Sequence, residues 1–228
     1  MPRRARHYLA GLPYHVVQRG NNKEACFFAV PDYEYYLFVL AQKLKRYEVA
    51  LHAYVLMTNH VHLLMTPVSN NGISDLMRSV GSRYACHINR NYGRTGTLWE
   101  GRHKSSAVDS EAYLFTCYRY IELNPVRAGM VAYPQEYRWS SHLANAFGSR
   151  TGFVTPHDQY LALAADPESR CRRYRELFRH ELGENDVYAI RKSAHYCQPL
   201  GRDRFRRQIE AKTGQKAGYM ARGRPWQS

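Results

Sequence analysis

Residues 47–65 have the sequence YEVALHAYVLMTNHVHLLM. They decide the fold because they contain two strand-like runs, one directly after the other in the sequence. Residues 47–56 and 61–65 are rich in β-branched and apolar side chains, which are typical of strands. Between them, Met57-Thr58-Asn59 supplies the polar break of a hairpin turn. This stretch therefore predicts two neighbouring strands joined by a short turn.

Two histidines in the second strand give the first indication of chemistry. Successive strand side chains point to opposite faces, so His60, His62 and Leu64 share one face, while Val61 and Leu63 share the other. Imidazole nitrogens a few Å apart can hold a divalent metal. The alternative is that one or both histidines only end a strand and pair with a backbone carbonyl group. A third ligand is needed before a metal site can be predicted.

The order of elements along residues 14–124 predicts the fold class. Apolar periodicity and turn residues indicate the order strand, helix, strand, strand, helix, strand, helix. Besides the hairpin, the predicted elements are a strand at 14–18, helices at 32–45 and 74–89, a strand at 102–108, and a helix that begins at Asp109 or Ser110 and runs to Asn124, where Pro125 ends it. We therefore expect an α+β fold, a ferredoxin-like split βαβ sandwich with an antiparallel sheet.

The later part of the chain has weaker structural signals. Residues 167–182 and 202–212 are predicted to form basic helices, and residues 148–156 are a candidate linker. We therefore expect one domain at residues 1–147 and a basic, mainly helical C-terminal extension at residues 148–228.

The last helix of the first domain offers the missing ligand. Tyr120 and Asn124 lie one turn apart, at the margin of the apolar stripe of this helix. A phenol can act as a covalent nucleophile, and a carboxamide oxygen suits a hard metal such as Mg²⁺ or Mn²⁺. Tyr113 stays an alternative nucleophile on the same side, although its partner one turn on is Cys117, a soft ligand. The structural alternatives are a packed boundary tyrosine and an asparagine that only ends a helix.

The chain is strongly basic, with 33 Lys+Arg against 19 Asp+Glu and a net charge of +14. The excess is uneven: residues 165–228 hold 15 Lys+Arg and 8 Asp+Glu, and Arg3, Arg4 and Arg6 crowd the N-terminus. A polyanionic partner such as nucleic acid accounts for this distribution better than a generally solvated basic surface does. The 19 tyrosines add rings on which unpaired bases can stack.

Other properties argue against several classes of protein. No apolar stretch approaches the ~20 residues of a membrane-spanning helix, and the N-terminus leads into no signal-peptide core, so we expect a cytoplasmic protein with no membrane partner. The five cysteines are scattered and form no C-x-x-C pair, which argues against a disulfide framework and against a zinc ribbon.

Three motifs in order along the chain resemble a known family. Residues 13–21 (PYHVVQRGN), 57–64 (MTNHVHLL) and 118–129 (YRYIELNPVRAG) look like the successive signatures of the REP-associated tyrosine transposases, which belong to the single-tyrosine HUH endonucleases. The resemblance covers most of residues 6–141, and the segment 198–201 (QPLG) with the basic residues after it is also similar. Three linked motifs are far more specific than any one of them.

The resemblance implies an HUH nuclease fold and a set of roles. His60 and His62 would be the metal ligands, Tyr120 the nucleophile, and Mg²⁺ or Mn²⁺ the cofactor. Asn124 stands where related transposases often have glutamine, which is one methylene longer, so its direct contact with the metal stays open. The substrate would be single-stranded DNA, and attack by Tyr120 would leave a 5′-phosphotyrosine and a free 3′-hydroxyl group. DNA transposition or the processing of repeats is the expected process.

In the family, the recognised element is a folded-back DNA hairpin beside a short tetranucleotide. This implies a DNA-binding role for a set of arginines at the N-terminus and around the second helix: Arg3, Arg4, Arg6, Arg83, Arg90, Arg94 and Arg102. His103 and Lys104, beside the last predicted strand, are further candidates for a position near the phosphate, with a solvated basic pair as the alternative.

Two rival functions and two assembly states accompany this prediction. A ferredoxin-like sheet with aromatic residues also describes RNA-binding modules, yet their characteristic stacking motif is absent from the sequence. A domesticated DNA-binding protein that keeps the fold but no longer cleaves DNA is the stronger rival. We expect a monomer whose site is completed within one chain, and a dimer that donates Tyr120 to its partner is the alternative.

Overall fold

The computed structural model describes residues 8–214, which form a four-stranded antiparallel sheet with helices on both faces. The strands are β1 (Tyr14–Arg19), β2 (Val49–Met57), β3 (His60–Pro67) and β4 (Lys104–Ala107), in the order β2-β3-β1-β4. Strand β3 therefore lies between β1 and β2. The predicted split βαβ arrangement with an antiparallel sheet is confirmed.

The helices agree with the sequence better before residue 124 than after it. They are α1 (Val30–Arg46), α2 (Gly72–Asn91), α3 (Leu114–Glu122), α4 (Asn124–Arg127), α5 (His142–Phe147), α6 (Asp158–Leu161), α7 (Pro167–Glu176), α8 (Glu184–Tyr196) and α9 (Asp203–Thr213). The predicted helices that correspond to α1, α2 and α9 are confirmed, whereas the helix predicted at 167–182 ends at Glu176 and α8 was not predicted. Within residues 8–214, no helix is long and apolar enough to span a bilayer.

The two faces of the sheet pack against different helices, as the alternation along β3 predicts. Val61 and Leu63 are fully buried in a first core cluster with residues of α1 and α2, such as Val80. Leu64 is fully buried on the other face, in a second core cluster that contains Ile121 of α3. Because a slip of one residue would exchange the two faces, this packing fixes the register and the direction of both histidines.

A short turn between β2 and β3 fixes the end of the sheet where His60 lies. Strand β3 begins with His60 directly after the two-residue turn Thr58-Asn59. The carbonyl oxygen of Thr58 accepts hydrogen bonds from the backbone N–H groups of Cys26 and Phe27, at 2.9 and 3.1 Å. The segment that follows β1 therefore braces the turn and holds His60 in place.

Helix α3 begins later than predicted. Asp109 was predicted to cap it, with Ser110 as the alternative, and both predictions were wrong because Asp109 continues along the edge of the sheet. Its backbone N–H donates to the carbonyl oxygen of Leu200 at 2.8 Å, and its buried carboxylate accepts from the guanidinium group of Arg202 at 3.2 Å. After a series of turns, α3 begins at Leu114.

Helix α3 also ends earlier than predicted. Its last residue is Glu122, and the short helix α4 begins at Asn124, with Pro125 in its first turn. Proline is well suited to the start of a helix because the first backbone N–H groups have no partner within the helix. Pro125 therefore starts a new helix, and the prediction of one helix that runs to Asn124 was wrong.

The segment after residue 147 packs against both core clusters, with Phe205 of α9 against the first. Tyr174 of α7, Ile190 of α8 and Leu200 are buried in the second core cluster together with α3. Within the candidate linker, the backbone N–H of Thr155 donates to the carbonyl oxygen of Leu51 on β2, at 2.7 Å. The later segment therefore packs against both α3 and the sheet. The division of the chain at residue 147 stays a prediction.

Candidate active site

The structure brings His60, His62 and Tyr120 together on the second face of the sheet. The ring centroids of His60 and His62 lie 4.9 Å apart. The ring of Tyr120 meets the ring of His62 edge to face, with centroids 5.6 Å apart. The hairpin thus presents two imidazoles to the helix that carries the phenol, in a single chain.

A chain of hydrogen bonds fixes the proton position on His60. The side-chain amide of Asn59 donates from Nδ2 to the carbonyl oxygen of Lys23 at 2.9 Å, so its Oδ1 atom is the one that faces His60. Nδ1 of His60 lies 2.6 Å from this oxygen and must therefore carry the proton. The lone pair of His60 Nε2 is left available for a metal ion.

Burial keeps both histidines in the uncharged form that binds metals. Burial, together with the weaker effect of the positive charge of Arg19, lowers the pKa of His60 to about 4. The pKa of His62 lies well below its usual value, chiefly because of burial and then because of the neighbouring imidazoles and arginines. At neutral pH both rings are therefore uncharged, which is the state required of an imidazole ligand.

His15 of β1 is a third imidazole at this site, and sequence reasoning missed it. It is 1% exposed, and its Nε2 atom lies 2.8 Å from Nδ1 of His62. Its ring centroid is 5.9 Å from that of Tyr120, and burial lowers its pKa to about 3. The alternation along β1 does place His15 on the face opposite to that of Tyr14 and Val16. A single histidine in an apolar strand, however, is seldom diagnostic of a functional site.

The structure favours Tyr120 over Tyr113 as the nucleophile. Tyr120 is 5% exposed, contacts His15 and His62, and has the guanidinium group of Arg127 over its ring at 5.2 Å from the centroid. Tyr113 directly precedes α3 and packs against the second core cluster. The contacts with the histidines therefore belong to Tyr120, although its catalytic role stays a prediction.

Asn124 lies beside Tyr120, as the spacing of one turn predicts. Its side-chain Nδ2 donates to the backbone carbonyl oxygen of Tyr120 at 2.8 Å, and the side chain is half-buried. This bond uses the amide nitrogen, so Oδ1 remains the atom that could reach a metal. Within residues 8–214, no three His, Cys, Asp or Glu side chains are arranged to hold a metal ion.

Three basic side chains surround the histidines. Arg19 pairs directly with His60 across β1 and β3, and Lys104 lies in the same cross-strand row as His62. The third is Arg127 of α4, whose guanidinium group lies above the ring of Tyr120. Sequence reasoning named Lys104 but missed Arg19 and Arg127. Together they give this face the positive charge that a phosphate group requires.

His103, the other candidate beside β4, makes a different contact. Its Nε2 atom lies 2.7 Å from the hydroxyl group of Tyr8, and its side chain is buried. The prediction that His103 lies near the scissile phosphate has no support from this arrangement, which ties the start of the described chain to β4.

The predicted DNA-binding arginines fall into three groups. Arg83 and Arg90 are exposed on α2, which packs on the first face of the sheet, away from Tyr120. Arg94 and Arg102 belong to the segment after α2, which returns to the His60 end of the sheet, where the backbone N–H of Glu100 donates to the carbonyl oxygen of Arg19 at 3.0 Å. The third group, Arg3, Arg4 and Arg6, lies outside the described residues.

Arg94 belongs to an aromatic cluster at this end of the molecule. Its guanidinium group lies 5.4 Å from the ring centroid of Phe28, which packs against the ring of Tyr92 with centroids 4.8 Å apart. The hydroxyl group of Tyr92 donates to the buried carboxylate of Asp32 at 2.8 Å. Both aromatic rings are partly exposed, a combination suited to unpaired bases.

One solved structure supports the fold, and a second one is less similar. A REP-associated tyrosine transposase bound to a REP hairpin has a similar structure, with a TM-score of 0.54 and 19% sequence identity over 69% of this chain and 96% of that chain. A candidate transposase from Deinococcus radiodurans R1 has a TM-score of 0.38 and 18% identity over 53% of this chain and 96% of that chain. No curated protein is significantly similar to the chain in sequence.

A family model extends this likeness to the sequence itself. The model for IS200-like transposases matches residues 8–124, which is more than half of the 228 residues and includes β1, the histidine hairpin, Tyr120 and Asn124. The resemblance to tyrosine transposases is thereby confirmed at the level of the family. By this match and by its fold, the chain belongs to the IS200-like transposase family.

Proposed function

We propose that the protein is a single-stranded DNA endonuclease and strand transferase that acts on hairpin, REP-like DNA. Tyr120 is the nucleophile, and His60, His62 and Asn124 hold Mg²⁺ or Mn²⁺. The observation that carries the proposal is the contact between the rings of Tyr120 and His62, at 5.6 Å between centroids. A buried phenol beside two uncharged imidazoles is the combination that this chemistry requires.

The donor atoms fit such a metal. Nδ1 of His60 faces Asn59 and Nδ1 of His62 faces His15, so the Nε2 atoms are the ring nitrogens that would bind the ion, with Oδ1 of Asn124 as the third donor. Imidazole nitrogens with a carboxamide oxygen suit Mn²⁺ and, less strongly, Mg²⁺. A bound divalent ion would neutralise and orient the scissile phosphate group.

The residues of this chain perform the remaining steps. The Oη atom of Tyr120 forms a bond to phosphorus as the bond between phosphorus and the departing O3′ atom breaks, and the proton that the phenol loses is balanced by the proton that O3′ gains. The products are a 5′-phosphotyrosine and a free 3′-hydroxyl group, so the energy of the phosphodiester bond is retained. Attack of another 3′-hydroxyl group on the phosphotyrosine then joins two strands without ATP, because the bond between phosphorus and Oη of Tyr120 breaks and the phenol takes up the proton of the hydroxyl group. Arg19 and Arg127 hold the charged phosphate oxygens in position.

Hairpin DNA is the substrate that the observations favour. The structurally similar REP-associated transposase is bound to a REP hairpin, and the net charge of +14 suits a folded nucleic acid. Because His62 contacts both His60 and Tyr120 of the same chain, a monomer would need no partner to complete the site. Cleavage could serve DNA transposition or the processing of repeats.

The test of this function is formation of a covalent adduct. We expect the protein, incubated with Mn²⁺ and a labelled DNA hairpin with single-stranded flanks, to give a protein–DNA species that survives denaturation, together with a released strand that a polymerase can extend from its 3′ end. A fully duplex DNA of the same sequence is the control and should give little adduct. Tight binding to the hairpin without any adduct would instead identify a domesticated DNA-binding protein.

Arg127 provides a separate prediction about DNA binding. Replacing it with alanine removes one positive charge beside Tyr120, so affinity for hairpin DNA should fall, and the slope of log K against log salt should flatten by about 0.7 for one lost single-strand phosphate contact. Fluorescence anisotropy at several salt concentrations measures both quantities. Arg46→Ala, at the opposite end of the sheet near Val49 and Pro67, is the matched control. An unchanged slope for Arg127→Ala would exclude the contact.

A further inference from the structure

The hydrogen bond between His15 and His62 admits two proton arrangements. Nε2 of His15 lies 2.8 Å from Nδ1 of His62, and the two rings are almost parallel, at 14°. A neutral imidazole has one N–H donor and one acceptor nitrogen, so one of the two facing nitrogens carries a proton and the other does not. Unlike His60, whose partner is an amide oxygen, His62 faces a group that can either donate or accept.

Only one arrangement leaves His62 able to bind a metal. If His15 donates, Nδ1 of His62 is the acceptor, the proton of His62 lies on Nε2, and no lone pair remains there. If His62 donates from Nδ1, its Nε2 lone pair is free. The second arrangement requires His15 to carry its own proton on Nδ1, because its Nε2 atom is then the acceptor.

A polar neighbour is in place for that proton. Nδ1 of His15 is buried and has no hydrogen-bond partner among the described residues, and the same holds for Oγ of Ser106. Ser106 lies directly opposite His15 in the pairing of β4 with β1, so both side chains point to the same face, with Cβ atoms about 4.5–5.5 Å apart. A ring nitrogen and a hydroxyl group, both buried and both without a hydrogen bond, therefore lie on one face of neighbouring strands, where a small rotation or one buried water could join them.

We propose that His15 is a positioning residue for the metal site. Its Nε2 atom accepts the Nδ1–H of His62, and its own Nδ1–H is directed to Ser106, so the lone pair of His62 Nε2 faces the metal. His62 then has the same kind of support that His60 receives from Asn59 and Lys23. The proposal rests on the proposed function, since it takes His62 to be a metal ligand.

Metal affinity tests this role apart from catalysis. Loss of the partner that orients a metal-bound histidine typically costs 10–100-fold in affinity. His15→Leu fills the buried position with an apolar side chain that cannot accept a hydrogen bond. We therefore expect it to weaken Mn²⁺ binding by about 10–100-fold. His15→Gln, whose amide oxygen can replace Nε2 as acceptor, should restore most of it, and Ser106→Ala should show a smaller loss. Electron paramagnetic resonance of free Mn²⁺ gives the affinities, and thermal unfolding verifies that each variant is folded.

The proton position can be observed without any metal. Nitrogen NMR of the ¹⁵N-histidine-labelled wild type should show His62 protonated on Nδ1, with His62 assigned by comparison with His62→Gln. Protonation on Nε2 would overturn the proposal, and so would equal Mn²⁺ affinity of wild type and His15→Leu. Failure of the wild type to bind Mn²⁺ would overturn the metal site itself, and the role of His15 with it. The two failures are thus distinguishable.

Discussion

Replacement of Tyr120 by phenylalanine is expected to abolish the covalent protein–DNA adduct and to lower strand cleavage by about 10⁴-fold or more, as loss of a covalent nucleophile does in other enzymes. The change removes one oxygen atom and keeps the ring, which contacts His15, His62 and Arg127. The fold and the affinity for DNA should therefore be preserved. Denaturing gel electrophoresis of labelled DNA measures the adduct, and anisotropy measures the affinity.

Tyr113→Phe is the matched control for this experiment. Tyr113 directly precedes the same helix and loses the same atom, and it also packs on the second core cluster, but the ring contacts with His15 and His62 are those of Tyr120. It should form the adduct at close to the wild-type rate. An adduct formed equally by Tyr120→Phe would exclude Tyr120 as the nucleophile, and an adduct lost in Tyr113→Phe alone would transfer the nucleophilic role to Tyr113.

Replacement of Glu122 by alanine is expected to destabilise the protein by roughly 3–5 kcal/mol, a large part of the stability of an ordinary domain. The carboxylate is fully buried and accepts four hydrogen bonds: from the side chains of Ser141 at 2.6 Å, His142 at 2.9 Å, Asn145 at 2.8 Å and Tyr174 at 2.8 Å. These partners belong to α5, to the residue before it and to α7. Alanine would remove the acceptor that all four buried donors share, and only Ser141 and Asn145 would keep a bond to a backbone carbonyl oxygen.

Urea unfolding measures this loss of stability, and two further variants serve as comparisons. Glu34→Ala removes an exposed carboxylate whose nearest charged partner, Arg138, is 3.5 Å away, so it should change stability by less than about 1 kcal/mol. Glu122→Gln keeps the shape and should lie between the two. A free energy of unfolding for Glu122→Ala within about 1 kcal/mol of the wild type would show that the network contributes little. Because Glu122 is two residues from Tyr120, a loosened network should also reduce adduct formation.

The histidine hairpin could be predicted from sequence because its information is local. Alternation of side chains along residues 60–65 determines which residues enter each core cluster, and a two-residue turn leaves little freedom in register. The pairing of Tyr120 with Asn124 was predictable for a similar reason, since one helical turn separates them and the side chain of Asn124 bonds back to Tyr120.

The remaining parts of the site depend on contacts between distant segments. His15 meets His62 only through the pairing of β1 with β3, and Ser106 meets His15 only through the pairing of β4 with β1. The predicted start of α3 was wrong because Leu200, far along the chain, accepts a hydrogen bond from the backbone N–H of Asp109. Glu122 gave no sequence signal, since its partners lie 19 to 52 residues away. Such tertiary contacts override local preference.

Pairing of Leu200 with Val108 has a consequence for the behaviour of the protein at high concentration. This segment adds a short parallel partner to β4, while Val154 and Ser140 pair with the outward side of β2. Some of the backbone N–H and C=O groups on the open edges of β2 and β4 therefore pair with later segments of the same chain. Exposed strand edges invite strands of neighbouring molecules, so these contacts protect the protein from edge-to-edge aggregation.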